Sequence, residues 1–232
     1  MRLAIMQPYF VPYIGYFQLI GAVDLFVVYD DIKYTKKGWI NRNRFLLDGH
    51  EETFTLALRR GSDSLSVVER ELAPDFDPLQ MLDRFAAAYR RAPYREPTMD
   101  LLRRVMLCGE SNLFRYVHHS LLEVCAHLGI GTEIRVSSSV RFDNSLKAEE
   151  KVLALCEAVG ASSYVNPIGG TELYSRDTFA ARDVELRFLR SCPVEYPQLG
   201  HPFVPWLSIV DVLMFNPVEA VRERIARDYE LH

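Results

Sequence analysis

The sequence predicts an α/β fold: a mostly parallel sheet flanked by helices, with a helical segment in the middle of the chain. Three observations carry this expectation. The short runs at residues 3–5 and 24–29 are apolar without the alternation of a half-exposed strand, as expected of strands buried on both faces. A single helical stretch with short links separates them, which is the βαβ arrangement of parallel strands. Residues 78–128 carry apolar side chains at three- and four-residue spacing, the helical period. Together these describe a Rossmann-like sheet in one domain spanning residues 1–232, with a helical insertion or cover at about 78–128.

The elements follow in order. After the first strand, Pro8 and Pro12 forbid regular structure. Residues 13–23 then read as a helix with Ile14, Phe17, Leu19 and Ile20 apolar. The second strand ends at Asp30-Asp31, so the aromatic turn and the two acids open on the same edge of the sheet. Residues 30–44 form a polar loop interleaved with Tyr34 and Trp39. Residues 44–47 and 53–56 pair as a hairpin around Asp48-Gly49. A second polar loop at 59–66 contains Arg59, Arg60 and Gly61. A helix at 78–91 places Leu79, Leu82, Phe85, Ala86 and Tyr89 on one face, and 99–107 is helical after Pro97. The clearest helix is 111–128, stopped by Gly129. On it, His118 and His119 are expected to look outward.

Residues 133–136 form a short strand. Asn144 or Ser145 then caps a helix with Glu149 and Glu150 in its first turns and Gly160 at its end. Residues 163–165 are a strand followed by Asn166-Pro167-Ile168-Gly169-Gly170, which completes a second βαβ unit. A strand at 184–189, an irregular aromatic segment at 193–205, a helix at 208–215 capped by Ser208 and a last helix opened by Pro217 finish the chain.

The totals exclude several classes. A formal net charge of -4 argues against a general nucleic-acid coat. No run approaches the length of a membrane span, so no membrane insertion is expected. Pro8 interrupts the first apolar run too early for a signal peptide, and a cytoplasmic location is expected. None of the four cysteines forms a C-x-x-C pair, and Cys125 and Cys156 fall on apolar helical faces, which points to buried reduced thiols. The chain carries no H-E-x-x-H, G-x-S-x-G or G-x-G-x-x-G motif, and no metal ligands are assigned.

Candidate chemistry gathers at the carboxyl edge, where ligands of open α/β sheets bind. The opening aromatic turn is either core filling or one wall of a site. Asp30 and Asp31 are candidates for a base, an amine-holding pair or a metal pair, or else for a turn cap and an exposed acid. Lys36, Lys37, Arg42 and Arg44 suit a phosphate clamp or a solvated loop. Asn41 and Asn43 alternate with Arg42 and Arg44, so in an extended segment the asparagines share one face and the arginines the other. The Gly169-Gly170 pair is an ordinary tight turn or a backbone anion cradle. His201 and Asp211 are candidates for a base and its partner, or for structural roles.

Two resemblances extend this reading. Tyr13-Ile14-Gly15-Tyr16, with Gln7-Pro8 ahead, resembles the H-x-G-H-like motif of class I nucleotidylyltransferases and tRNA synthetases, with tyrosines in place of both histidines. It implies ATP with magnesium as the cofactor. A second resemblance covers most of the chain. It rests on Gln7-Pro8-Tyr9, Pro12, Gly15-Tyr16-Phe17, Asp24, Asp30-Asp31, Lys37-Gly38-Trp39 and Asn41-Arg42-Asn43. Further along it rests on Tyr196-Pro197-Gln198, Phe203-Val204-Pro205 and the run from Leu207 to Leu213. In these blocks the chain resembles the WbqC-like protein family. Many members carry histidine where this chain has Met6.

That resemblance implies an enzyme of bacterial surface-polysaccharide or small-molecule biosynthesis. The expected activity is that of a transferase or ligase modifying an amino sugar or nucleotide-linked sugar, with amide formation as one route. A non-catalytic sugar- or nucleotide-binding protein is the alternative. Asp30, Asp31 and His201 are the candidate catalytic residues. Gln7, Tyr13, Gly15, Tyr16, Lys37, Trp39, Asn41, Arg42, Asn43 and Gln198 are the candidate substrate-binding residues. The expected partner is a small molecule, a sugar; a homo-oligomer is compatible with the sequence.

Overall fold

The computed structural model describes residues 1–193 and 195–232. Val194, within the segment expected to be irregular, lies outside the described residues. The first strand, β1, runs Arg2–Met6 and is followed by helix α1, Ile14–Gly21, and strand β2, Leu25–Val28. Both strands are buried on two faces because Leu3-Ala4-Ile5 of β1 and all four residues of β2 are apolar. Ala4, Phe26 and Val28 point to one core, Leu3, Ile5, Leu25 and Val27 to another, as the period-two geometry of a strand requires.

Strands β3, Arg42–Leu47, and β4, His50–Thr55, form a separate antiparallel hairpin. Its two-residue turn places Asp48 at φ 49° and Gly49 at φ 82°, and paired positive φ values match the right-handed twist of the flanking strands. Helices α2, Pro78–Ala88, α3, Arg95–Met106, and α4, Leu113–Leu128, follow. They share one hydrophobic core with α1 and the hairpin, through Phe85, Leu102, Val117, Phe17 and Phe45. The apolar face expected for α2 is correct at Leu82, Phe85 and Tyr89, but Leu79 is exposed. Asn112 caps α4, accepting from Arg115 N at 3.1 Å, and Gly129 ends it in the left-handed region.

Strand β5, Glu133–Val136, leads through α5, Ala148–Val159, to β6, Ser163–Pro167. The N-cap of α5 is Lys147, without a side-chain cap, in place of the expected Asn144 or Ser145. The side chain of Ser145 turns instead to Asp143. Helix α6, Arg176–Ala180, strand β7, Glu185–Ser191, helices α7, Ile209–Phe215, and α8, Val218–Arg227, and strand β8, Tyr229–Leu231, complete the chain. The six-stranded sheet has the order β5-β2-β1-β6-β7-β8, with only β8 antiparallel. The expected mostly parallel sheet flanked by helices is therefore observed. Helices α5 and α6 cover one face through Leu153, Leu155 and Phe179, and α1, α7, α8 and the middle helices cover the other. The order reverses between β1 and β6, so the turn leaving β1 borders the switch point where such sheets open a crevice.

Candidate functional site

The turn after β1 is held from three directions. Phe10 N donates to Ile40 O at 3.0 Å. Asn43, on β3, donates from Nδ2 to Val11 O at 2.9 Å and to Phe10 O at 3.3 Å. Ser208, the N-cap of α7, donates from Oγ to Val11 O at 2.6 Å, and Ile209 N donates to Pro12 O at 2.8 Å. These contacts hold Val11 at φ 37°. A β-branched residue there is strained, and such strain persists only where the surroundings over-determine it.

The converging segments enclose a recess of about 260 Å³ lined by Tyr9, Pro12, Tyr13, Trp39, Asn43, Arg44 and Trp206. Tyr13 meets Trp206 edge to face, with ring centroids 6.0 Å apart. Trp39 is 40% exposed and Trp206 49%. Trp206 also lies in the left-handed region, at φ 59°. The guanidinium groups of Arg42 and Arg44 each lie 5.2 Å from the Trp39 ring centroid, a favourable contact with the ring face. Arg44 pairs with Glu51 at 2.7 Å and donates to Trp206 O at 3.2 Å, while its buried Nε has no partner. Burial raises the Tyr9 and Tyr13 phenols above their ordinary value, and for Tyr13 the neighbouring Tyr9 adds to it. Both are neutral hydroxyls at physiological pH, able to donate and accept.

The alternating segment behaves as its period requires. Asn41 and Asn43 are buried and Arg42 and Arg44 half-buried. The inward face is committed to structure: Asn41 accepts from Tyr34 Oη at 2.9 Å and donates to Leu56 O at 2.9 Å. Arg42 donates to Gly38 O and Lys37 O, closing the loop that carries Trp39. Gly15 lies beneath Tyr13, where an added Cβ would stand 2.3 Å from Tyr13 Cε2. Tyr16 is fully buried and donates to Gln7 O at 2.8 Å, and the Gln7 side chain is exposed. The tetrapeptide 13–16 thus offers one phenol to the recess and keeps the other in the core. That does not fit the paired phosphate contacts of an H-x-G-H-like motif.

Asp30 and Asp31 sit at the end of β2 among a different set of partners. Asp30 is buried and accepts from Ser138 Oγ at 2.6 Å and Ser138 N at 3.1 Å. Ser137 Oγ bridges the two acids, 2.7 Å from Asp30 and 3.1 Å from Asp31. Lys151 pairs with Asp31 at 2.8 Å and lies over the Tyr29 ring. His201 is exposed and packs at Gly49, away from Asp211. Of the two readings of His201 and Asp211, the base-and-partner pair is not formed, because Asp211 is wholly buried and accepts from Tyr89 and Tyr196 at 2.7 Å and from Gln198 at 2.8 Å. Burial raises the Asp211 pKa against the opposing pull of these three donors. Gln198 also clasps Val204 N and O, which shapes the loop leading to Trp206. His118 is half-buried, not outward, and stacks on Phe114. Its pKa is lowered by burial and then by His119, against the charge of Asp30. Gly170 packs on the side chain of Asn166 in a short 3-10 turn. Burial pushes the Cys125 and Cys156 thiols to about 12. Among the described residues no group of three or more His, Cys, Asp or Glu could hold a metal ion, and no helix is long and apolar enough to cross a membrane.

The model of the WbqC-like protein family matches residues 7–223. The chain belongs to the WbqC-like protein family. The uncharacterized protein Rv1507c of Mycobacterium tuberculosis is 27% identical over 218 residues, covering 93% of each chain. No solved structure matches. Of the residues that carry the family resemblance, Tyr9, Pro12, Trp39 and Asn43 line the recess, and the run from Leu207 begins directly after Trp206. Asn43 and Ser208, both in such blocks, bind the carbonyl of Val11 in the turn between them. Sequence reading missed Trp206 as a wall, and Ser137, Ser138 and Lys151 as partners of the acids. The chain's two tryptophans, Trp39 and Trp206, were the available signal for the first.

Proposed function

We propose that this WbqC-like protein is an enzyme, a transferase or ligase that modifies an amino sugar or a nucleotide-linked sugar. The observation that carries the reading is the recess. It combines two half-exposed indoles, two neutral phenols and Arg44 at the carboxyl edge of β1, with Arg42 beside Arg44 over the Trp39 ring. Apolar sugar faces stack on indole rings, phenols exchange hydrogen bonds with sugar hydroxyls, and arginine matches phosphate geometry. A volume of about 260 Å³ suits one ring and not a whole nucleotide, since drug-sized ligands take roughly 300–1,000 Å³. A nucleotide portion would extend across the open side, towards Arg42 and Arg44. Asp30 and Asp31 do not line the recess; from the neighbouring strand end they are the acids assigned the proton transfer at the substrate amine.

One observation favours a second reading, a non-catalytic sugar-binding protein: both carboxylates are already engaged by Ser137, Ser138 and Lys151. Thermal melts against a panel of amino sugars and nucleotide sugars test the first step, since a ligand that binds the native state raises Tm. The expected result is a shift in the wild type that Trp206→Ala removes; no shift with any member of the panel overturns the reading. Turnover of the ligand so found, lost in a folded Asp30→Asn variant, supports catalysis. Binding without turnover supports the second reading.

A further inference from the structure

A second concavity, of about 460 Å³, lies on the other face of the 34–43 loop and shares no lining residue with the recess. Four cations line it: Lys36, Arg59, Arg60 and Arg70. Two of them are neutralised, Lys36 by Asp63 at 2.6 Å and Arg59 by Glu71 at 3.1 Å. Arg60 is exposed, and among the described residues no carboxylate pairs with it. Arg70 is different in kind. It is only 5% exposed, its Nε is buried without a hydrogen-bond partner, and no carboxylate of a described residue lies within ion-pair distance; Asp63, paired directly with Lys36, feels its charge only from farther off.

A buried charge without a direct ion-pair partner is unfavourable. Here the surroundings hold it in place. The guanidinium lies 4.5 Å from the Tyr34 ring centroid. Tyr34 is fixed in turn by its hydrogen bond to Asn41. The Arg70 backbone is clamped as well, its N donating to Val67 O and its O accepting from Leu113 N. One Nη lies where a Cβ on Gly61 would stand 2.9 Å away, so the bare backbone of Gly61 leaves the guanidinium its room. The ring takes one face of the guanidinium, and its edge lines the groove. That fork, with Arg60 beside it, has the geometry that receives two oxygens of one phosphoryl group.

We propose that this groove is an anion site for a phosphoryl group, with Arg70 as its buried fork and Arg60 as its outer arm. The inference is independent of the sugar reading. Its failure would show in melts with phosphate, whereas failure of the sugar reading would show in the recess.

The test melts the full chain in inorganic phosphate and in sodium chloride of equal ionic strength. At about five times the dissociation constant, phosphate is expected to raise Tm by about 2–4 °C over chloride. In Arg70→Met the response is expected to vanish. The Tm in chloride should hold or rise, because an unpaired buried charge has been replaced by an apolar side chain. Should that variant fail to fold, Arg60→Ala, an exposed change, is expected to weaken phosphate binding several-fold by calorimetry. A hexose 1-phosphate binding ten-fold tighter than phosphate would identify a phosphorylated metabolite; equal affinity would identify the free ion. Equal Tm in phosphate and chloride, a full response in folded Arg70→Met, or unchanged affinity in Arg60→Ala overturns the proposal.

Discussion

Replacing Asn43 with alanine tests how far the strained turn after β1 depends on this one of its three holds. Asn43 Nδ2 makes two hydrogen bonds, to Val11 O and Phe10 O, and the residue is 7% exposed. Val11 O keeps Ser208 after the change, whereas Phe10 O loses the side-chain donor it has. Losing one net neutral hydrogen bond costs about 1 kcal/mol, and stranding a buried carbonyl costs about 1–3 kcal/mol more. Relaxation of Val11 away from its positive φ returns part of this, since such strain is worth about 1–3 kcal/mol. The net expectation is about 2 kcal/mol, a fall in Tm of about 4–8 °C for a chain of this size. Asn43→Asp should fall further at neutral pH, because a carboxylate would then face two carbonyl oxygens. The assay is a melt followed by circular dichroism, paired with ligand titration. Tyr13 is carried by the same turn, so affinity should fall more than ten-fold. An Asn43→Ala protein with wild-type Tm and wild-type affinity would refute the idea that this residue positions the recess.

Gly15→Ala should act on the recess with little effect on stability. The new Cβ displaces the far end of the Tyr13 ring and breaks its edge contact with Trp206, while alanine suits the helix better by up to about 1 kcal/mol. Wild-type Tm with weakened ligand binding is the expected outcome; unchanged binding would show that Tyr13 is not a wall in use. Asp211→Asn should alter the pH dependence of stability. The folded pKa of Asp211 is raised by burial, so the folded state holds its proton more tightly than the unfolded state. The associated stability is fully present below the ordinary aspartate range and is lost as pH rises through the folded pKa. Urea titrations across that range should show this decline in the wild type and not in the variant, and parallel profiles would contradict the assignment.

Much of the frame was legible because it is local. The first βαβ unit follows from two apolar runs, the hairpin from Asp48-Gly49, and α4 from its period and Gly129. Strand β8 was not legible: three residues at a sheet edge carry too little pattern. Nor was the cap of α5, where Ser145 chose Asp143 over the helix. The polar network was hidden for a different reason. Tyr89 and Asp211 are 122 residues apart in sequence, and no spacing rule links α2 to α7. The asparagine–arginine alternation fixed which side chains shared a face, but not that the asparagine face turned inward. That depended on which backbone carbonyls of the β1 turn needed donors.

The most direct measurement is a tryptophan fluorescence titration. Trp39 and Trp206 are the chain's two tryptophans, and both line the recess. Any sugar or nucleotide sugar bound there must change the emission, and Trp206→Phe must reduce that change while keeping Trp39 as a reporter. Binding in the recess predicts a saturable change whose midpoint agrees with the affinity measured by calorimetry. Saturable binding by calorimetry that leaves both indoles unchanged would place the ligand elsewhere and contradict it.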